Sequence, residues 1–584
     1  MRRHGTSQTS TPTPGQILVL IAGAAVLASA CGSGAGVSPL RFHNQAVVWQ
    51  INDRDNVAEQ PADRPFVRSL YHTDAPFFRR IVGWMDLHEP THARNVNALD
   101  EVPDSTWFTN RRDLTPADIA RGPNTTDGPD PSQPWKVVSS KVGGQSVGFI
   151  IKDARGDRYL LKFDELHFPV TETATDVVLQ RLLWAAGYNV PEDNIVYFDR
   201  AHLVLDEKAK ISDVFGNKRP MTLKDLDGSL AKVRSDNGRF RGLTSKFLPG
   251  VPIGGFPQRG VRADDPNDRI PHEHRRELRG LRIFYSWLQY TDAKENNTLD
   301  VYEKDPGDPD RHYVVHYLVD FGKSLGANSS MARYYADGHV HMLDVIDVPL
   351  QILTLGLYKR AWEKTHDPGI EGVAMFDVEH YDPVDFVAHD PYEPFKRMQD
   401  ADAYWATRIL VKLSPAHVRA GVEQGKYPDP AAVEYLTKVL VGRQRKSARA
   451  WFDRVAPLDE FRLDGDRLCF KDLYLAYRIG APDDQVQWPA GAPAPTGPAN
   501  ELAGTRYAAT SFDYNGQKTS WSGSAEGQDD GSACFGGITP GPSNNGYVMV
   551  RIGLTRGKTF DPVVVHLAQE PGTSALRIIG LRHY

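Results

Sequence analysis

The sequence predicts an α+β protein, and three observations carry that reading. β-Branched and aromatic runs cluster between Trp135 and Phe198, and amphipathic helical spacing dominates from His272 to Tyr290 and from Gly326 to about Asp453, with LDVY and HYVVHYLVD between them reading as a strand pair. From residue 505 to the end, short β-rich runs alternate with glycine and proline turns. At 584 residues the chain exceeds one hydrophobic core, and about 150 residues per domain gives roughly three or four units. An apolar fraction of 40% with 24% charged residues argues against extended disorder except where proline and glycine accumulate locally. Lys and Arg number 68 against 74 Asp and Glu, so the net charge is −6 and no global basic field exists for gripping nucleic acid.

At the N-terminus, Arg2, Arg3 and His4 precede the apolar run Ile17 to Ala30. That run is short for a membrane span and suits a signal-peptide core. It ends in LASACGSG, which resembles the lipobox of bacterial lipoproteins, although Leu27 lies one place early and Ala28 stands where leucine is preferred. The resemblance implies lipidation of Cys31, export, and a membrane anchor in the cell envelope. Simple cleavage and an uncleaved anchor are the alternatives. Residues 1–31 are therefore read as a signal segment and 32–134 as an N-terminal extension. Besides Cys31 there are two cysteines, Cys469 and Cys534. In an oxidising compartment they form a disulfide; otherwise they are buried free thiols.

The turn cluster GPNTTDGPDPSQP, Gly122 to Pro134, closes the extension. WKVVSSK, VGFIIKD and DRYLLKFD then read as strands, the last two forming a hairpin across ARG. TETATDVVLQRLLWAAGYNVP reads as a helix with a threonine cap, stopped by Gly187 and Pro191, and NIVYF as another strand. In HEHRRELRGLRIFYSWLQY, Leu278, Leu281, Phe284, Tyr285 and Leu288 share one helical face. Most of the chain from Gly326 to Asp453 is expected to be helical. The boundaries follow: 135–260 a β-rich lobe, 261–460 a helical lobe, 461–504 a linker, and 505–584 a β-rich domain.

Several clusters could carry chemistry. Gly144-Gln145-Ser146-Val147-Gly148 fits the Gly-x-Ser-x-Gly of serine hydrolases, but that elbow needs a helix after the serine and a hairpin follows here. Gly143, Gly144 and Gly148 instead suit a turn whose amides approach phosphate oxygens. Lys162, inside the apolar strand YLLKF, needs a partner if it is buried. Glu172 opens the next helix, and Asp176, one turn later, is a rival partner. YTDAKENNTLDVY places Asp292 and Asn297 five apart with Lys294 between them, and VVHYLVDFG ends in Asp320-Phe321-Gly322. His272 with His274 and His339 with His341 imply no third metal ligand by spacing.

In that order and spacing, these elements resemble the protein-kinase-like superfamily, nearest its divergent bacterial HipA-type and lipid-kinase-like branch. The resemblance spans residues 135 to 455. It implies a bilobal kinase-like fold and ATP with Mg2+ as cofactors. Lys162 would hold the α- and β-phosphates, with Glu172 orienting it and Gly143, Gly144 and Gly148 over the phosphates. Asp292, with Lys294 beside it, would serve catalysis, while Asn297 and Asp320 would bind metal. FLPG, Phe247 to Gly250, resembles the hinge that carries adenine. A full Gly-x-Gly-x-x-Gly, a His-Arg-Asp and an Ala-Pro-Glu are missing. The implied function is an exported phosphotransferase with an unknown acceptor. Its alternatives are an inactive kinase-like nucleotide- or partner-binding lipoprotein and a sugar- or surface-binding lipoprotein driven by residues 505–584.

Overall fold

The computed structural model describes residues 40–86, 90–141, 146–212, 217–328, 338–341, 347–358, 360–481 and 504–584. Strands β1 (Trp135–Ser140), β2 (Gly148–Lys152) and β3 (Arg158–Lys162) run antiparallel in sequence. β4 (Asp193–Asp199), β5 (Leu203–Ser212), β6 (Lys218–Pro220), β7 (Ser235–Asp236) and β8 (Arg239–Lys246) complete an eight-stranded sheet. Its order is β4-β8-β3-β2-β1-β5-β6, with β7 paired to β8. The β2–β3 hairpin turns at Gly156, whose φ of +88° suits a residue without a Cβ. Val137, Phe149, Ile151, Tyr159 and Leu161 alternate onto one buried face.

The helix Thr171–Ala185 follows β3. No side chain caps it from its N-cap residue, Val170, so the expected threonine cap is corrected. The Asp164 carboxylate takes that role, accepting from Thr173 N at 2.8 Å and Thr173 Oγ1 at 2.6 Å. Gly187, at φ +117°, ends the run, and a Cβ there would lie 2.2 Å from the Phe108 ring. The extension is therefore built into the core. Trp107 stacks on His316 at 3.5 Å with the Arg275 guanidinium 4.2 Å from its ring.

From β8 the chain crosses through Phe247 to Gly250 into β9 (Val251–Pro252), which pairs with β10 (Thr298–Lys304). β10 pairs with β11 (His312–Leu318), giving a second sheet of order β11-β10-β9. The helix Arg276–Leu288 leads into the loop before β10 and packs on the helices Asp400–Leu410 and Pro430–Phe452. The expectation of mostly helix after Gly326 is corrected. The described part of residues 327–392 is chiefly turns, with the short helices Asp347–Leu353 and Ala361–Lys364. Pro368, Pro383 and Pro391, with Gly369 and Gly372, interrupt that stretch, and long helices resume only beyond it.

The C-terminal region also begins earlier than expected. β12 (Leu458–Asp464) and β13 (Arg467–Asp472) lie inside the expected linker, and β13 pairs with β16 (Ser532–Phe535). Cys469 and Cys534 are register partners there and form a disulfide across 65 residues of chain. β14 (Arg506–Asp513), β15 (Lys518–Glu526), β17 (Val548–Arg556), β18 (Lys558–Thr559), β19 (Val563–Gln569) and β20 (Leu576–His583) make a six-stranded sheet. Asp100 joins three regions, receiving Arg276 at 2.9 Å and Arg582 at 2.5 Å. Among the described residues no helix is long and apolar enough to cross a membrane.

Candidate active site

Lys162 is the last residue of β3, placed between Gly148 of β2 and Leu243 of β8. Its side chain is only 7% exposed, so the ammonium requires anionic partners. It donates to Asp320 Oδ1 at 2.6 Å and to Asp176 Oδ2 at 3.3 Å. Burial works against the charged form, but Asp176 and Asp320 outweigh it and raise the lysine well above its ordinary pKa. Asp176 Oδ1 also accepts from the Phe321 amide at 3.0 Å. One carboxylate thus ties strand, helix and the Asp-Phe-Gly backbone together.

The carboxylate that meets Lys162 is therefore Asp176. Glu172, the expected partner, forms no ion pair with Lys162 among the described residues and lies against Gly322 instead. A Cβ at Gly322 would fall 2.5 Å from Glu172 Cγ. Burial raises Glu172 to about 7, with Lys162 opposing and Asp320 adding to the shift.

Asp320 and Phe321 point in opposite ways. Asp320 has φ +64° and its side chain is 53% exposed, whereas Phe321 is fully buried. A left-handed non-glycine residue costs about 1–2 kcal/mol. Bonds on both sides hold it: Tyr290 donates its hydroxyl to the Asp320 carbonyl at 3.0 Å, and Phe321 N is fixed by Asp176. The Lys162 ammonium holds the Asp320 carboxyl well below its usual range.

The loop after the Arg276–Leu288 helix carries the remaining groups. Lys294 Nζ donates to both Asp292 oxygens, at 2.7 and 2.8 Å, and Lys323 Nζ lies 3.7 Å away. Burial would raise Asp292, but Lys294 and then Lys323 outweigh it and keep the group below its ordinary value. Asn297 Nδ2 donates to the Tyr290 hydroxyl and to the Asp292 carbonyl, each at 2.8 Å. With both amide protons engaged, Oδ1 is the atom Asn297 can offer a ligand. Tyr290 was not foreseen as a site residue. It accepts from Asn297, donates to Asp320, and so sets these two residues relative to each other.

The donor set suits Mg2+. Asp320 and Asn297 supply hard oxygens, and Mg2+ takes few protein ligands because it keeps waters and phosphate oxygens. Among the described residues no group of three or more His, Cys, Asp or Glu is placed to hold a metal. His272 bonds Asp268 at 2.7 Å and the Pro257 carbonyl at 2.5 Å, while His274 bonds Arg279 at 2.8 Å. His341 bonds the Ala388 carbonyl at 2.8 Å, and His339 stacks on Trp362.

Gly143, Gly144 and Cys31 lie outside the described residues. Gly148 begins β2, where a Cβ would sit 2.7 Å from the Leu161 carbonyl and 3.1 Å from Lys141 Cδ. Lys141, a second residue not foreseen, ends this approach with Nζ 2.7 Å from Ser146 Oγ. Burial first and then the Lys162 charge lower its pKa, as expected of a second ammonium in the same cleft. The FLPG segment links the two sheets. Gly250, at φ +97°, approaches β10 so closely that a Cβ would lie 2.3 Å from the Tyr302 carbonyl.

No protein-family model matches the chain, and no curated protein matches it. The structural neighbours are protein kinases. The Rio2 kinase of Chaetomium thermophilum, in a complex with ADP, Mg2+ and phosphoaspartate, matches at 16% identity and TM-score 0.18. That match covers 32% of this chain and 49% of the Rio2 chain, so it spans about half the neighbour's length. The Golgi casein kinase with Mn and ADP bound matches at 12% identity and TM-score 0.25, covering 68% of this chain and 94% of that one. Likeness at these TM-scores carries no argument. The functional reading rests on the geometry of the cleft.

Proposed function

We propose that the chain is an ATP- and Mg2+-dependent phosphotransferase of kinase-like bilobal fold, exported and anchored in the cell envelope by lipid on Cys31. The observation that carries this is the convergence of Lys162, Asp176 and Asp320 at one point, with Tyr290 bridging Asp320 to Asn297. Lys162, with Lys141 near it, would bind phosphate oxygens of the nucleotide. Asn297 Oδ1 and the Asp320 carboxylate would hold Mg2+, which when bound neutralises charge on the phosphates. Asp292, kept ionised by Lys294 and Lys323, would orient an acceptor hydroxyl and take its proton. The residues supply position and charge, the two main terms in phosphoryl transfer.

A second reading has its own observation. Lys162 is closed onto Asp320 at 2.6 Å, which engages an oxygen that would otherwise face the metal. This arrangement favours a kinase-like binding protein without turnover unless nucleotide draws the lysine away. Transfer of AMP instead of phosphate uses the same groups. The deciding experiment measures thermal stabilisation by Mg-ATP in the intact protein and in Asp320→Ala, together with release or transfer of labelled γ-phosphate. Stabilisation that Asp320→Ala abolishes, with label transferred, supports the phosphotransferase. Stabilisation without transfer supports the binding protein, and no stabilisation of the intact protein overturns both.

A further inference from the structure

A cavity of about 940 Å³ opens beside the loop that carries Asp292. Glu295, three residues beyond Asp292, forms part of its wall, and so do Asp390 to Glu393 and Phe395. The neighbouring His389 amide donates to the Thr291 carbonyl at 2.8 Å, so this wall is joined to the catalytic loop. Asp74, Phe78 to Arg80, Val82 and Gly83 of a continuous helical run, Arg68–Thr73, Asp74–Phe78 and Arg79–Met85, also line the cavity, and the run's middle five residues form a π-helical turn. Such turns often mark functional sites. Tyr71 of this run donates to Asp390 at 3.0 Å.

Cations outnumber anions around this space. Arg64, Arg79, Arg80, Arg259, Arg282 and Lys396 line it, against Asp74, Glu295, Asp390 and Glu393. The carboxylates are shared. Glu295 serves Arg64 at 3.5 Å and Arg79 at 3.6 Å, Asp74 holds Arg79 at 2.6 Å, Glu393 serves Arg259 at 2.8 Å and Arg397 at 2.6 Å, and Asp86 serves Arg259 at 3.5 Å, Lys396 at 3.5 Å and Arg397 at 2.7 Å. The Arg282 bonds in this region go to the Val384 and Phe386 carbonyls, at 2.7 and 3.2 Å. Among the described residues lining the cavity, two buried donors have no hydrogen-bond partner, Arg79 Nη1 and Gln258 Nε2, against one such acceptor, Asp390 Oδ1. Gln258 is itself 95% buried, being 5% exposed, and lines the cavity. This excess of unpaired buried donors, two against one, favours an anionic ligand.

The rim is apolar. Phe78, exposed by 58%, and Val82 line the cavity, and Leu70, Phe77, Ile81 and Met85 of the same run stand in solvent. Exposed apolar side chains beside arginines are the composition that suits a membrane interface. A soluble phosphate ester gives those side chains nothing to cover; an anionic phospholipid covers them with its chains while its phosphate meets the arginines.

We infer that this cavity is the acceptor site for an anionic phospholipid headgroup, presented to Asp292 while the Arg68–Met85 run rests on the membrane surface. This inference rests on the phosphotransferase reading. A headgroup hydroxyl would lose its proton to Asp292, its oxygen would form the new bond to the γ-phosphorus of the nucleoside triphosphate, and the bond to the β-phosphate oxygen would break to release the diphosphate.

The test uses full-length protein and monomeric dihexanoyl phosphatidylglycerol, with dihexanoyl phosphatidylcholine and inorganic phosphate as comparison probes, titrated calorimetrically. Phosphatidylglycerol is expected to bind at least tenfold more tightly than either comparison probe. Arg79→Gln and Phe78→Ser should each weaken it at least fivefold; Phe78→Ser, at an exposed position, keeps the test interpretable if the arginine variant unfolds. Equal binding of inorganic phosphate, or phosphatidylglycerol affinity unchanged in both variants, overturns the proposal. Mg-ATP stabilisation, measured on the same samples, separates the two readings. If it is intact and no lipid binds, this proposal alone falls. If it is lost while lipid binds through Arg79 and Phe78, the anion site stands and the transfer step falls.

Discussion

Replacing Tyr290 by phenylalanine removes one oxygen from the fully buried centre of the site. The ring keeps its edge-on packing with Tyr285 at 4.4 Å and Phe321 at 6.0 Å, so no cavity opens. Two hydrogen bonds go. The Asp320 carbonyl loses its 3.0 Å donor, and Asn297 Nδ2 loses its 2.8 Å acceptor while keeping the Asp292 carbonyl. A buried polar group left unpaired costs about 1–3 kcal/mol, so the two together should cost about 2–6 kcal/mol. Part of that cost reaches function, because the same oxygen sets Asp320 relative to Asn297. If half appears as weaker Mg-ATP binding, affinity falls from roughly fivefold to roughly a hundredfold, at about 1.4 kcal/mol per factor of ten. Urea unfolding should show a lower midpoint at unchanged slope, and nucleotide titration the affinity loss. A Tyr290→Phe protein within about 0.5 kcal/mol of wild type and with unaltered Mg-ATP affinity would refute the bridging role.

Other outcomes follow from the same structure. Glu172 binds its proton more tightly in the folded protein, at about 7 against an ordinary 4.5. Its contribution to stability is therefore full below pH 4.5 and is lost as pH rises through 7, a swing of about 3 kcal/mol at most. Without divalent cation, Glu172→Gln should match wild type near pH 5 and exceed it in stability at pH 8; a pH-independent difference contradicts the assignment. Reducing Cys469–Cys534, which closes a separation of 65 residues, should lower the stability of the C-terminal sheets by up to about 4 kcal/mol on chain-entropy grounds. Hydrogen exchange in β13 and β16 should rise on adding reductant, and unchanged exchange there counts against a stabilising disulfide.

Much of the site was legible because its residues sit where local pattern is strong. An isolated lysine in YLLKF, a polar turn after an amphipathic helix and an aspartate closing a β-run all stand out against apolar surroundings. The choice between Glu172 and Asp176 was not legible. They are four residues apart, hence on one helical face, and which one reaches Lys162 depends on how far the helix slides along β3. That position is fixed by Asp164 at the helix start and by the Phe321 amide, both tertiary contacts. Tyr290 was visible only as a departure from an expected His-Arg; its bridge appears once β11 returns to the loop. Lys141 could have been suspected as a charge closing an alternating strand before glycines. The turns after Gly326 escaped because hydrophobic spacing outweighed prolines and glycines that should have been read as breaks. The start of the C-terminal sheets escaped because the β12–β13 hairpin, FRLDGDRLCFKD, holds no β-branched residue although its strands pair across a two-residue turn, and β13 meets its other partner, β16, only after some 60 residues.

Electron paramagnetic resonance of Mn2+ tests the central claim most directly, because the hexaaqua ion's signal falls when the metal is bound. With ATP present in excess, the account predicts that wild-type protein alters the Mn-ATP spectrum with one-to-one stoichiometry, and that Asp320→Asn and Asn297→Ala each abolish the change. A wild-type protein that leaves the Mn-ATP spectrum untouched, or an Asp320→Asn variant that changes it as fully as wild type, would contradict the assignment of this cleft.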